Sequence, residues 1–140
     1  MISLFLVEDE LISRQGIEKN VPWAENGINF LGSASDGELA LPQILEKKPD
    51  IVLTDIRMPF MDGLQLSRII REKLPETKII ILSGYNEFDY ARQAITLGIS
   101  EYLLKPVSAA DILGAVDHVR GAIDSARQGQ ARQREQQQLR

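Results

Sequence analysis

Short apolar runs recur five times along the chain, at residues 2–7, 28–33, 51–54, 79–82 and 101–104. The first, third and fourth are nearly continuous and rich in β-branched residues, the composition of strands buried on both faces of a parallel sheet. Between the runs the spacing turns helical. Leu11, Ile12, Gln15 and Ile17 open one helix that Pro22 must end, and Leu39, Leu41, Ile44 and Leu45 mark a second. Leu64, Leu66, Ile69, Ile70 and Leu74 mark a third, and Phe88, Ala91, Ala94 and Ile95 a fourth. Ile112, Leu113, Val116, Val119 and Ile123 form the fifth, with the clearest three-four pattern in the chain.

Five alternating strand and helix units joined by right-handed crossovers predict a three-layer α/β sandwich. For five units the flavodoxin-like strand order 2-1-3-4-5 is the common solution, and it places function at the carboxyl ends of the strands. The helix caps agree. Asp36 precedes Gly37 and Glu38, Asp62 precedes Gly63 and Leu64, and Ser108 stands three residues before Asp111, a capping-box acid. One local conflict is Pro42, inside the second helix, where the missing N–H and the ring clash predict a kink or a start moved toward Leu41.

Composition narrows the chemistry. The 140 residues are 44% hydrophobic and 26% charged, the profile of one globular domain. The absence of cysteine excludes disulfide scaffolds, zinc–thiolate sites and cysteine nucleophiles, and a single histidine cannot build a multi-histidine metal site. The net charge of −4 gives no overall case for gripping nucleic acid. That charge is uneven: residues 1–119 carry −7 and residues 120–140 carry +3. No apolar run approaches the ~18 residues of a membrane span, and no basic leader with a cleavage site opens the chain. The reading is a soluble cytoplasmic protein with no membrane association. From residue 126 onward six of fifteen residues are glutamine and only Leu139 is large and apolar. This segment reads as a frayed, solvated extension of the fifth helix, or as the start of a linker or coiled coil.

The residues just past each strand carry the chemistry: Glu8 and Asp9 after the first, Asp55 after the third, Ser83 after the fourth and Lys105 after the fifth. If strands one and three are neighbours, ~4.8 Å apart, three carboxylates converge and repel one another unless protons shift or a cation binds between them. Oxygen-only ligands with room for water favour Mg²⁺. Lys105 adds a point charge and Ser83 a hydroxyl donor. Such a set suits phosphoryl transfer to a carboxylate, with Asp55 at its centre as the nucleophile.

The chain resembles the receiver domains of bacterial two-component response regulators. The resemblance is carried by Leu6-Val7-Glu8-Asp9-Glu10, by Leu53-Thr54-Asp55-Ile56-Arg57-Met58-Pro59 through Met61-Asp62-Gly63, by Leu82-Ser83-Gly84, and by Tyr102-Leu103-Leu104-Lys105-Pro106. It implies a phosphorylation-dependent switch rather than a conventional enzyme. Asp55 would accept a phosphoryl group from a sensor histidine kinase, and Glu8, Asp9, Asp55 and the backbone carbonyl of Arg57 would hold Mg²⁺. Ser83 and Lys105 would bind the phosphoryl oxygens, Tyr102 would be the switch aromatic, and the Lys105–Pro106 bond would be cis. The reading is a receiver over residues 1–122 followed by a helical extension or linker over 123–140, with the face of helix four, strand five and helix five as readout, through a homodimer or release of an attached DNA-binding domain. Glu8 departs from the commoner aspartate by a longer arm, and Ser83 stands where threonine is equally usual.

A finer resemblance lies in Asn20-Val21-Pro22-Trp23, Ser33-Ala34-Ser35-Asp36-Gly37-Glu38 and Gly84-Tyr85-Asn86-Glu87-Phe88-Asp89-Tyr90-Ala91. These look like the receivers that precede a helix-turn-helix output domain of the arabinose-regulator type, which implies control of transcription through a DNA-binding domain absent from this chain. The alternative is a stand-alone chemotaxis-type or phosphorelay receiver. A haloacid-dehalogenase-type phosphatase needs an aspartate two residues after its nucleophile, where this chain has Arg57, and no phosphate-binding glycine loop of the nucleotide-binding type follows any strand. Of the remaining residues, His118 reads as an ordinary surface side chain and Trp23 as packing for the turn after helix one. Gly114 and Gly121 suggest close packing of the last helix, against the sheet or a second subunit. Arg57 and Tyr85, each two residues past a site residue, suggest bulk that obstructs an attacking water.

Overall fold

Alternate residues of each central strand face opposite apolar layers, and this period of two builds the molecule. In the computed structural model, which describes residues 1–84 and 88–138, β1 (Ile2–Val7), β2 (Ile28–Ala34), β3 (Ile51–Asp55), β4 (Lys78–Ser83) and β5 (Glu101–Leu104) form one parallel sheet in the order β2-β1-β3-β4-β5. Leu4, Leu6, Leu53, Ile80 and Leu82 point to one face, where α5 (Ala109–Gln138) lays down Ile112, Val116, Val119 and Ile123. Phe5, Val7, Val52, Ile79 and Ile81 point to the other, covered by Ala40 and Ile44 of α2 (Gly37–Lys47), Leu66 and Ile70 of α3 (Gly63–Lys73) and Ala94 of α4 (Phe88–Thr96). Each of the fully buried Val, Leu, Ile and Phe side chains contributes about 1.5–3 kcal/mol of transfer free energy. The flavodoxin-like three-layer sandwich expected from the alternation is therefore the observed fold.

The caps form as the sequence predicts. Asp36 accepts from the Leu39 N–H at 2.8 Å, and Asp62 and Gln65 close a capping box at the start of α3. Ser108 and Asp111 close a second one at the start of α5, with bonds of 3.0 and 3.1 Å. Trp23 is buried in the core and stacks on Phe30 with ring centroids 5.2 Å apart. The Lys105–Pro106 peptide bond is cis.

Two expectations require correction, and one predicted helix forms but is little buried. α2 begins at Gly37 and carries Pro42 in its second turn, so the proline does not shift the start; the Asp36 cap fixes that end, and the hydrogen bond Pro42 cannot make would fall on exposed Glu38. α1 (Leu11–Asn20) has no fully buried residue, and Leu11 and Ile12 face outward while Ile17 alone reaches the core cluster. A β-carbon on Gly114 or Gly121 would meet nothing within 4 Å, so neither glycine packs against the sheet.

α5 continues as one helix of 30 residues. Arg127 pins it at the floor of the sheet, donating to Asp50 at 2.6 Å, while the other oxygen of Asp50 accepts from the backbone N–H and hydroxyl of Ser3. Higher on α5, Arg120 donates to the Asn26 carbonyl at 2.7 Å. Residues 128–134 are exposed throughout.

Gly63 shows how tightly the loop after β3 is folded back. Its N–H donates to the Ile56 carbonyl at 2.7 Å, and a β-carbon there would stand 2.3 Å from the Asp55 carbonyl oxygen. Gly63→Ala is expected to lower stability by about 3 kcal/mol, the size of a severe backbone clash, in urea denaturation. Wild-type stability in that variant would show that the loop has room to spare.

Candidate functional site

The parallel register delivers the acids to one end of the sheet. Val7 pairs with Thr54 across β1 and β3, so Glu8, Asp9 and Asp55 leave adjacent strands at one level. One oxygen from each of the three carboxylates lies within 4.8 Å of the others. Glu8 is fully buried, Asp55 nearly so, and Asp9 exposed. Two backbone bonds fix the neighbourhood: the Glu8 N–H donates to Ala34 at 3.1 Å and the Ile56 N–H to Leu82 at 3.0 Å. The second N–H also reaches Asp55 Oδ1 at 3.0 Å.

Lys105 is the cation that holds the group together. Its ammonium donates to Asp55 Oδ2 at 3.0 Å and to both oxygens of Glu8 at 3.1 and 3.2 Å. Its position follows from the sheet, because its N–H donates to the Ser83 carbonyl at 2.7 Å. Ser83 is fully buried at the end of β4, one residue beyond the pairing of Asp55 with Leu82, and its hydroxyl donates to the Gly84 carbonyl. Tyr102 pairs with Ile81 and is partly buried against the second core face. Arg57 is exposed with its guanidinium 5.8 Å from the centre of the Tyr90 ring, a contact not anticipated from the sequence. Tyr85 lies outside the described residues.

Other neighbours also escape sequence reasoning. Arg14, one turn into α1, donates to the Glu8 carbonyl at 3.0 Å; a cation close behind the two acids was the only signal. His118 is exposed and contacts Glu101. A cleft of about 340 Å³ opens beside the acids between Asp9, Arg57, Met58, Pro59, Asp62 and Tyr90, whereas a larger hollow of about 600 Å³ lies between α1 and the start of α5 with Lys105 on its wall.

Three carboxylates facing one ammonium leave excess negative charge. Burial pushes the Asp55 carboxyl up to about 7, the Glu8 charge and a hydrogen bond that protonated Asp55 can donate to Asp9 push the same way, and Lys105 opposes them. Burial pulls the Lys105 ammonium down, but its hydrogen bond to Asp55 and the charges of Asp55 and Glu8 win, so its pKa rises. An all-oxygen set with one exposed member fits a hard divalent ion that keeps some of its water.

The response regulator receiver domain family matches residues 4–117, and the chain belongs to it. It is a regulatory module of two-component signalling rather than a classical enzyme, and Glu8, Asp9 and Asp55 make up the acidic cluster typical of the Mg²⁺ site in these domains. Among its relatives is the transcriptional regulatory protein YesN of Bacillus subtilis (strain 168), 36% identical over 119 residues. That match covers 85% of this chain and 32% of YesN, so the chain spans about a third of that relative's length. Among solved structures, the receiver domain of AraT, a response regulator from Geobacillus stearothermophilus, superposes with a TM-score of 0.78 at 36% identity, covering 92% of this chain and 98% of that one. A two-component transcriptional regulator AraC from Clostridium phytofermentans ISDg gives 0.75 at 31% identity, with 94% and 99% covered. Among the described residues no helix is long and apolar enough to cross a membrane.

A raised carboxyl pKa has a defined consequence for stability. Between the ordinary value of 3.8 and about 7 the unfolded chain releases the Asp55 proton while the folded chain keeps it, so rising pH destabilises the fold through this group. In EDTA, wild type is expected to lose on the order of 2 kcal/mol relative to Asp55→Asn between about pH 4.5 and pH 7.5. Urea denaturation at the two pH values measures the gap, and a gap that does not change would contradict the burial of a proton on Asp55.

Proposed function

We propose that this chain is the phosphorylation switch of a transcriptional response regulator, with Asp55 accepting a phosphoryl group from the phosphohistidine of a sensor histidine kinase. One observation carries the reading: a recessed carboxylate, Asp55, shares an ammonium with Glu8 and stands within reach of a third acid, Asp9. An oxygen of Asp55 forms the new O–P bond as the P–N bond to the donor imidazole breaks, and the electron pair returns to the ring nitrogen. Lys105 and Ser83 bind the phosphoryl oxygens, placed by the ends of β5 and β4. Mg²⁺, when bound by Glu8, Asp9, Asp55 and the Arg57 backbone carbonyl, supplies the charge that keeps Asp55 ionised and draws the phosphoryl oxygens in.

Tyr102, partly buried beside Ile81, is the aromatic that reports the state of Ser83 to the surface. The face formed by α4, β5 and α5 is the readout, through a homodimer or contact with an output domain; Ile95 and Leu104 expose apolar surface there, which supports it. Residues 1–122 are the receiver, and 123–140 continue α5 as a helical linker toward a DNA-binding domain that this chain does not contain. The helix through Gln138 and the larger size of YesN support that division. A cytoplasmic location belongs to the same reading, and the lack, among the described residues, of a helix long and apolar enough to cross a membrane is compatible with it.

Labelling with radioactive acetyl phosphate tests the chemistry. Wild type is expected to take one label per chain in Mg²⁺ and none in EDTA, and Asp55→Asn none in either. Equal labelling of wild type and Asp55→Asn would remove Asp55 from its role.

A further inference from the structure

α2, α3 and α5 each begin on a side-chain cap, at Asp36, Asp62 and Ser108. α1 is built differently. Its N-cap is Glu10, whose side chain makes no capping bond, its first turn holds no acid, and none of its residues is fully buried. The turn that leads into it, residues 8–10, carries two of the three clustered acids. What closes that turn is Arg14. Its backbone N–H donates to the Glu10 carbonyl at 2.9 Å, and its guanidinium reaches back to the Glu8 carbonyl at 3.0 Å. Long side chains on a helix lean toward its N-terminus, so an arginine one turn in is directed at the residues before the helix. Arg14 is half-buried there, and a charged donor on a carbonyl makes a stronger bond than a neutral one.

The carbonyl that Arg14 holds belongs to the peptide unit joining Glu8 to Asp9, and a planar peptide moves as one body. On the other side of Glu8 the backbone N–H is tied to Ala34 on β2. Glu8 is therefore anchored before and after its α-carbon, and the path into Asp9 is set. This matters most for Asp9. Lys105 orients the carboxylates of Glu8 and Asp55 with bonds of 3.0, 3.1 and 3.2 Å, whereas Asp9 is exposed and joined to its backbone by a single methylene. Its carboxylate goes where the backbone puts it. We propose that Arg14 is a positioning residue of the divalent-cation site: by holding the Glu8–Asp9 peptide it fixes the place from which Asp9 meets the ion. The inference rests on Glu8, Asp9 and Asp55 being a Mg²⁺ site. Two effects of the guanidinium then oppose each other. Its positive charge beside the acids repels a cation, while its hold on the peptide gives that cation a ready ligand. Solvent screens the charge of a half-buried guanidinium, whereas its bond to the carbonyl is unscreened, so the second effect dominates.

The opposite signs separate the two effects in a titration. Mg²⁺ affinity is measured by calorimetry on the whole chain at about pH 7, in wild type, Arg14→Met, Arg14→Lys, Asp9→Asn and the double variant Arg14→Met with Asp9→Asn. Arg14→Met keeps the apolar stem and removes every donor. Its affinity is expected to fall about tenfold, the cost typical of losing a group that orients a metal ligand. Arg14→Lys, which keeps a donor and the charge, should lose less. In the Asp9→Asn background the same Arg14→Met change should cost less than about twofold, because the ligand it positions is already gone. Thermal melts in EDTA should stay cooperative for every variant. Equal or tighter binding in Arg14→Met would overturn the proposal, since the arginine would then act by charge alone or not at all. The same loss in both backgrounds would overturn it too, by placing the effect elsewhere than Asp9. So would an Arg14→Met chain that no longer folds, because the arginine would then serve the fold rather than the site. Wild type that binds no Mg²⁺ would instead remove the metal-site reading beneath it.

Discussion

Repulsion among Glu8, Asp9 and Asp55 is the constraint on which the rest of this structure depends. Two of the three are buried, and one shared ammonium on Lys105 stands against them. Like charges brought this close in a dry setting force a proton onto one of them or call for a cation, and Asp55 shows the first response in its pKa of about 7. Such a cluster does not assemble itself. It exists because β1 and β3 are adjacent and parallel, so their carboxyl ends deliver acids to the same point, and because β4 and β5 bring Ser83 and Lys105 to the same edge.

The two apolar layers are what make this tolerable. Each central strand is buried on both faces, and the helices above and below are fixed by capping bonds at Asp36, Asp62 and Ser108. The loop after Asp55 is drawn tight by Gly63, where no β-carbon fits, so backbone packing fixes the position from which Asp55 meets Lys105. Stability is generated in the layers and spent in one place at the end of the sheet. At the opposite end Arg127, Asp50 and Ser3 bind the long α5 to the floor of the domain, which gives the helix a fixed exit far from the acids.

Much of this was legible in the sequence because it depends on period and position. Runs of Ile, Val and Leu marked strands buried on both faces, acids and a lysine just past those runs marked the edge where chemistry gathers, and Asp or Ser marked the caps of α2, α3 and α5. What stayed hidden depends on tertiary contact. Leu11 and Ile12 have helical spacing yet face outward, because spacing shows that a face exists and not that anything covers it. Pro42 looked like a helix boundary, but a good cap at Asp36 outweighed one missing hydrogen bond. Gly114 and Gly121 suggested close packing but do not pack against the sheet, and the ion pair between Arg127 and Asp50 joins residues too distant for any local pattern. Phe60 holds φ at 68°, and that left-handed angle has no signature in residue type, since phenylalanine is an unusual choice there.

If the excess negative charge at the sheet end is what the pocket is built around, a divalent ion must both fill it and expel the proton that Asp55 carries. Calorimetric titration of Mg²⁺ near pH 7, repeated in buffers of different ionisation enthalpy, measures both at once. One binding site is predicted, with a heat that varies with the buffer because a fraction of a proton is released, and with affinity at least about tenfold weaker in Asp9→Asn. Binding that releases no proton and is indifferent to Asp9→Asn would contradict a cation site made of these three carboxylates.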